Sequence, residues 1–170
     1  DQAADLFARE ATLEIAGRGL FRGQDRIRQY LHALPNLEHG TVFNHMQLQP
    51  VITIDDGGET ASGRWRAIME VGFVGRESLR GEAVYENRYV REDGVWKIKR
   101  LDYILQWQAD YETGWAHTDS HLQPAQRLFP EDPYGPDVLI DNGRRTWPYR
   151  QDCPVHYAHP VIAKKMLGGR

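Results

Sequence analysis

Six side chains have the types and spacing that proton-transfer chemistry on a small molecule needs: His45, Trp65, Tyr85, Asn87, Arg100 and Asp102. His45 opens an alternating run in which Gln47 and Gln49 follow on the same side. A histidine is the side chain whose ordinary pKa lets it take and return protons near neutrality. In the run Trp96 to Asp102, alternation puts Trp96, Ile98, Arg100 and Asp102 on one face and Lys97 and Lys99 on the other. If the lysines are solvated, Arg100 and Asp102 point inward, where a guanidinium needs a partner. Two readings fit. One is a structural pair of Arg100 with Asp102 or with a glutamate. The other is a cation on a pocket wall that orients an oxygen-bearing substrate and steadies oxyanion charge.

Tyr85, Asn87 and Tyr89 share a face of the preceding segment. They would offer a pocket neutral hydrogen-bond donors, or else satisfy one another on a half-buried sheet. His45 has the same two readings, as a structural histidine or as a base whose role rests on facing the same interior as Arg100. Trp65 would supply a flat apolar wall.

Other chemistries find little support. His117 and His121 are four apart, but the intervening Thr-Asp-Ser does not read as a helix and no third ligand completes a set, so no metal is expected. His156 and His159 lie in a proline-rich stretch and read as packing or rim residues. The one cysteine, Cys153, excludes an internal disulfide framework and a paired-cysteine metal knuckle, and is a weak nucleophile. No nucleophile elbow, P-loop or dinucleotide fingerprint occurs, and no cofactor is expected.

These residues must be positioned by one domain-sized chain of 170 residues with a net charge of −3 and interspersed charges. There is no basic stripe for nucleic acid and no apolar run long enough to span a bilayer. A single cysteine fits a reducing compartment, and a cytoplasmic protein is expected. Residues 1–10 read as a helix with Ala3, Leu6 and Phe7 on one face, followed by a short strand over 11–15 and a turn through Gly19 to Gly23. Gln24 opens a second helix that carries Ile27, Tyr30, Leu31 and Leu34 and stops at Pro35. His45 to Ile54 reads as one long strand, Thr60 to Phe73 as a second and Arg80 to Val90 as a third. An Asp93-Gly94 hairpin then leads to a fourth over 95–108. The fold class is α+β, with a curved, mostly antiparallel sheet wrapped around helices to enclose a pocket. The pocket domain is expected over 1–115. Residues 116–170, rich in proline and aromatics, are expected to pack on that domain or on a partner subunit.

The run Ala4 to Ile15, the Gly19-x-x-x-Gly23 turn into a helix, and Tyr85-Glu-Asn-Arg-Tyr-Val-Arg-Glu-Asp-Gly-Val-Trp-Lys-Ile98 resemble the SnoaL-like family. That family belongs to the nuclear-transport-factor-2-like superfamily of cone-shaped folds, and the resemblance covers roughly residues 1–115. It implies a first helix ahead of residue 1 and a habit of homodimers or higher homo-oligomers. In the dehydratase and dehydrochlorinase branches a histidine at a strand start pairs with an aspartate from that first helix. His45 matches the histidine, Arg100 matches an inward arginine of the dehydrochlorinase branch, and the aspartate has no counterpart in this sequence. The function implied is a cofactor-free lyase or isomerase on a hydrophobic, aromatic molecule: dehydration, hydrogen halide elimination, or aldehyde loss from a lignin-derived diaryl compound. His45 would be the acid or base, Arg100 the oxyanion partner, and Trp65, Tyr85, Asn87 and Asp102 the wall. The alternative is a binding protein of the same fold with no catalysis.

Overall fold

The computed structural model describes residues 2–117, 125–140, 146–149 and 153–158. A one-turn helix α1 (Gln2–Asp5) leads into β1 (Phe7–Ile15), which turns back as β2 (Gly19–Arg22) before helix α2 (Gln24–Ala33). Strands β3 (Thr41–Gln47) and β4 (Val51–Ile54) precede three long strands, β5 (Thr60–Phe73), β6 (Glu77–Glu92) and β7 (Val95–Asp110). All seven form one sheet in the order β2-β1-β7-β6-β5-β3, with β4 also along the free edge of β5. Only the β1–β7 pairing is parallel. The result is the expected α+β fold, with a large, curved and open mixed sheet.

Strands β5, β6 and β7 form the meander that the turn signals announce. Asp93 and Gly94 both take positive φ, 54° and 77°, as a tight hairpin between right-twisted strands requires. Helix α2 buries Ile27 against Phe7, Ala8, Ala11, Leu13 and Phe21, with Tyr30 and Leu31 at the margin of that cluster. A second cluster, Ala67, Ala83, Tyr85, Tyr103 and Leu105, lies on the concave face of the long strands, and Ile15 touches both.

Three expectations are corrected. The helix over residues 1–10 ends at Asp5, and β1 begins at Phe7. Phe7, Ala8, Ala11 and Leu13 are buried because the β1–β7 register shifts between Phe7 and Thr12. A bulge places two successive residues inward, so burial at 7, 8 and 11 imitates helical periodicity. Leu6, assigned to the buried face, is exposed. The single strand from His45 to Ile54 is two strands interrupted at Leu48–Pro50, where Pro50 has no N–H for a ladder.

The third correction concerns β7. Arg88 pairs with Arg100 but Tyr89 pairs with Ile98, so Lys99 is one residue in excess. Ile98 and Leu101 accordingly pack on the same core cluster although they are three apart. Alternation reverses across this bulge, so Trp96 and Ile98 do not share a face with Arg100 and Asp102.

The described parts of the C-terminal stretch lie against the domain. Ala125 N donates to Gly17 O at 2.8 Å, Val138 bridges Leu20 on the edge strand, and Asp137 pairs with Arg26 at 3.1 Å. On the convex face, Gln106 Nε2 donates to Cys153 Sγ at 3.1 Å and His156 meets Glu86. His121 and His159 lie outside the described residues. No described helix is long and apolar enough to cross a membrane. Among the described residues no group of three or more His, Cys, Asp or Glu could hold a metal ion.

Candidate active site

The concave face is built from alternate residues of four strands. Register places His45 opposite Met69, and Trp65 opposite Tyr85, which is in turn opposite Tyr103. Between Trp65 and Met69 on this face stands Ala67, whose small side chain lets His45 and Tyr85 meet across β5. They do meet: His45 Nδ1 lies 3.1 Å from the Tyr85 hydroxyl. The His45 ring stacks on Phe43, with centroids 5.5 Å apart, and tilts against Tyr103 at 6.0 Å. Tyr85 and Tyr103 are edge to face at 5.1 Å, and the Tyr103 hydroxyl donates to Met69 Sδ at 3.7 Å.

Trp65 lies edge-on to Tyr89 at 5.9 Å and extends the aromatic wall. Gly63 makes this possible, because a Cβ there would come within 2.5 Å of the Trp65 ring. Asn87, only 4% exposed, donates to the Tyr89 hydroxyl at 3.0 Å and accepts from Asp102 N at 3.3 Å. Ile52 and Ile54, on the same face by register, are 56% and 61% exposed and form an open apolar margin.

Burial governs the ionisation of this group. It pushes the Tyr85 phenol up to about 12, and raises Tyr103, Tyr89 and Tyr30 as well. It pulls His45 below its ordinary value, because the surrounding rings withhold water from the imidazolium. His45 is exposed as a residue, at the open margin of the face, while its hydrogen-bonded ring is half-buried. Tyr30 of α2 lies at the margin of the neighbouring cluster, its ring 4.4 Å from that of Phe21. Two clefts elsewhere, of about 730 Å³ beside Gly40 and Phe73 and about 530 Å³ beside Trp107 and Trp115, lack such a gathering of perturbed groups. The concave face is therefore the better candidate.

Of the residues singled out from sequence, the structure brings His45, Trp65, Tyr85 and Asn87 to one face. Arg100 and Asp102 are not brought there. Arg100 lies beside Arg88, on the side of the sheet where Arg88 reaches Ser62 and Arg64 pairs with Glu86 at 2.8 Å. Its side chain is 46% exposed, donating to Asp102 at 3.1 Å and to Glu14 at 3.4 Å. Asp102 is 2% exposed on that same side. The structural pairing of Arg100 is what the geometry supplies, and the bulge at Lys99 is its cause.

Sequence reasoning missed Tyr103, Tyr30, Phe43 and Met69. The signal for Tyr103 was present: apolar residues fall on even numbers at 96 and 98, then on odd numbers at 101, 103 and 105. Such a change of phase marks a bulge. Among the described residues, His45 shares its hydrogen bond with a tyrosine; the dyad aspartate that the resemblance describes has no counterpart in this sequence.

A family model described as the SnoaL-like domain matches residues 1–102. The fold is similar to a scytalone-dehydratase-like protein of Novosphingobium aromaticivorans, 21% identical over 75% of this chain and 80% of that one, with a TM-score of 0.57. It is similar also to a type 2 hexachlorocyclohexane dehydrochlorinase, LinA, 24% identical over 63% and 72% of the two chains, with a TM-score of 0.53. The type 3 LinA of Novosphingobium barchaimii gives 22% identity over 63% and 73%, with a TM-score of 0.54. Across such solved structures the chain spans between 58% and 80% of the other chain's length. At these identities the likeness establishes the fold and leaves the reaction to the site.

Proposed function

The chain belongs to the SnoaL-like domain family, and from that premise we propose that it is a cofactor-independent lyase or isomerase acting by proton transfer on a hydrophobic, aromatic molecule. One observation carries the reading. His45 Nδ1 is held by the Tyr85 hydroxyl at 3.1 Å, while Nε2 has no hydrogen-bond partner among the described residues and sits on an aromatic face. A lowered pKa keeps that nitrogen in its basic form at neutral pH.

The phenol can serve either role of the imidazole. With the proton on Nδ1 donated to the Tyr85 oxygen, Nε2 is a base. With the Tyr85 O–H donated to Nδ1, Nε2–H is an acid. In a dehydration Nε2 takes a proton from carbon, the carbon–oxygen bond breaks as the double bond forms, and the imidazolium returns the proton to the departing hydroxide. In a hydrogen halide elimination the proton leaves to solvent with the halide. In aldehyde loss Nε2 takes the hydroxyl proton, the carbon–carbon bond breaks, and the carbanion is protonated by the imidazolium. Each sequence restores His45 and needs no redox partner. Trp65, Tyr89 and Asn87 would line the substrate's path. A homodimer or higher homo-oligomer in the cytoplasm completes the proposal, and light scattering checks the assembly.

A ligand-binding protein without catalysis is the second reading. It is favoured by Asn87 being engaged with Tyr89 and by Arg100 being engaged with Asp102 and Glu14. The two separate cleanly. The protein is incubated, with no added cofactor, with aromatic alcohols, β-hydroxy compounds and aryl-bearing alkyl halides, and products are followed by mass spectrometry. Turnover that disappears in His45→Ala supports the enzyme. Ligands that bind measurably and emerge unchanged sink it in favour of the binding protein.

A further inference from the structure

We propose that the Tyr89 hydroxyl, set by Asn87, is the donor that stabilises the oxyanion, taking the carbonyl oxygen of an aromatic ketone or aldehyde as charge develops there. This deepens the acid-base reading, on which it rests, by naming a second reacting group and a substrate class. Arg100, the partner expected for such an oxygen, lies on the other side of the sheet with Arg88. A donor has to come from the concave face itself.

Tyr89 belongs to that face by contact as well as by register. Along β6, Tyr85, Asn87 and Tyr89 stand opposite Trp65, Gly63 and Ala61 of β5. The Tyr89 ring is edge-on to Trp65 at 5.9 Å, and both rings lean over Gly63. A Cβ on Gly63 would come within 3.1 Å of Tyr89 Cε2 and 2.5 Å of the Trp65 ring. The direction of the phenol proton follows from Asn87. The backbone N–H of Asp102 can only donate, at 3.3 Å, so Asn87 Oδ1 meets it and the amide nitrogen faces Tyr89. That nitrogen in turn can only donate, at 3.0 Å, so the phenol oxygen accepts and its own hydrogen is directed elsewhere.

The neighbouring phenols are committed, Tyr85 to His45 Nδ1 and Tyr103 to Met69 Sδ. Tyr89 has no acceptor for its proton among the described residues. A bond received at the phenol oxygen polarises its O–H and strengthens the bond it gives. Burial holds this phenol above its ordinary pKa while the Asn87 bond draws it part of the way back, so at neutral pH it is a protonated donor.

In the reaction His45 Nε2 takes a proton from carbon, and the electron pair of that C–H bond moves through the conjugated system onto the carbonyl oxygen. Tyr89 donates a hydrogen bond to this oxyanion and keeps its proton. The pair then returns, the bond to the leaving group breaks, and the imidazolium gives its proton to that group or to solvent. Four residues of strand separate Tyr85 from Tyr89, ~13 Å before the curvature of the sheet draws the side chains together. That span suits an oxygen joined to the reacting carbon through an aromatic ring, with Trp65 lying along the ring.

The test uses 4-nitrophenol as a stand-in for the oxyanion, because its visible absorbance reports its ionisation while bound. The bound probe should ionise about one pH unit lower on the wild type than on Tyr89→Phe, a tenfold difference, since a donated bond favours the charged oxygen. For 4-nitrotoluene, which has a methyl group in place of the hydroxyl, the two proteins should agree in affinity within about 2-fold. Asn87→Ala should lose part of the shift when Tyr89 is present and none further when Tyr89→Phe is also made, because the amide acts through the phenol. Equal midpoints on the wild type and Tyr89→Phe, or no binding of 4-nitrophenol, would overturn the proposal. An effect of Asn87→Ala that persists in the Tyr89→Phe background would overturn the positioning role of Asn87. His45→Ala should keep the difference between wild type and Tyr89→Phe. That difference without any turnover of aromatic substrates would sink the acid-base reading alone, and His45-dependent turnover without the difference would sink this one alone.

Discussion

The Tyr85 hydroxyl and His45 Nδ1 are 3.1 Å apart although an entire strand, β5, runs between β3 and β6. The contact is diagonal: His45 faces Met69, Tyr85 faces Trp65, and the gap above Ala67 admits both side chains. The sheet thereby orients an imidazole with a phenol, a neutral partner that does not stabilise the imidazolium as a carboxylate would. Its consequence is a base whose strength is set by burial.

Replacing His45 by alanine removes the group that moves the proton. Turnover in that variant should fall at least ~10²-fold, with the circular dichroism spectrum unchanged because the residue lies at the exposed margin of β3. Wild-type kinetics in His45→Ala would end the assignment of the acid-base role.

The pH dependence follows from two directions of shift. Burial lowers His45, so the base form persists below its ordinary value of 6.5, and the acid limb of kcat/KM should have its midpoint below that pH. Burial raises Tyr85 to about 12, so its hydroxyl keeps its proton through the alkaline range and adds no second limb there. The stability effect has a matching sign. Below about pH 6.5 the unfolded chain binds a proton at His45 before the folded one does, so His45 withdraws stability as pH falls. His45→Gln should lose the acid limb and flatten that part of the stability profile; an unaltered limb would assign it to another group.

Tyr85→Phe keeps the ring packing and deletes the hydrogen bond. The imidazole is then unfixed, and kcat should drop about 10-fold while KM changes little, since the loss amounts to about one hydrogen bond of orientation. Thermal denaturation should register a loss of about 1 kcal/mol or less. A rise in KM without a fall in kcat would make Tyr85 a wall residue instead.

Much of this was legible in the chain because local signals agreed with the fold. The turn residues at 55–58 and at Asp93-Gly94 delimit the long strands, and β5 alternates without interruption over Thr60–Phe73 as expected. His45, Trp65, Tyr85 and Asn87 sit on regular stretches of strand, so counting by twos put them on one face. Much of what escaped lies at bulges, where one extra residue reverses the count. The excess at Lys99 hid Tyr103 and promoted Arg100, and the shift between Phe7 and Thr12 made a strand look helical. Tyr30 escaped for another reason: on α2 it fits the apolar stripe, and nothing local shows how far burial raises its phenol.

Arg100 separates a structural account from a catalytic one, and the bulge decides between them. As an oxyanion partner on the concave face, its loss would cost turnover by two or three orders of magnitude. The structure places it on the opposite side, half exposed, where it donates to Asp102, a carboxylate with 2% exposure. Deleting the guanidinium leaves that carboxylate with one charge-assisted bond fewer, at a cost of about 1 to 2 kcal/mol after allowing for the exposure of Arg100. Folded Arg100→Ala should therefore retain kcat and KM within about 2-fold, with its thermal midpoint lowered. Arg100→Ala/Asp102→Asn should recover part of the lost stability, because the buried charge goes with its partner. A variant that folds at wild-type stability and loses turnover would return Arg100 to the site.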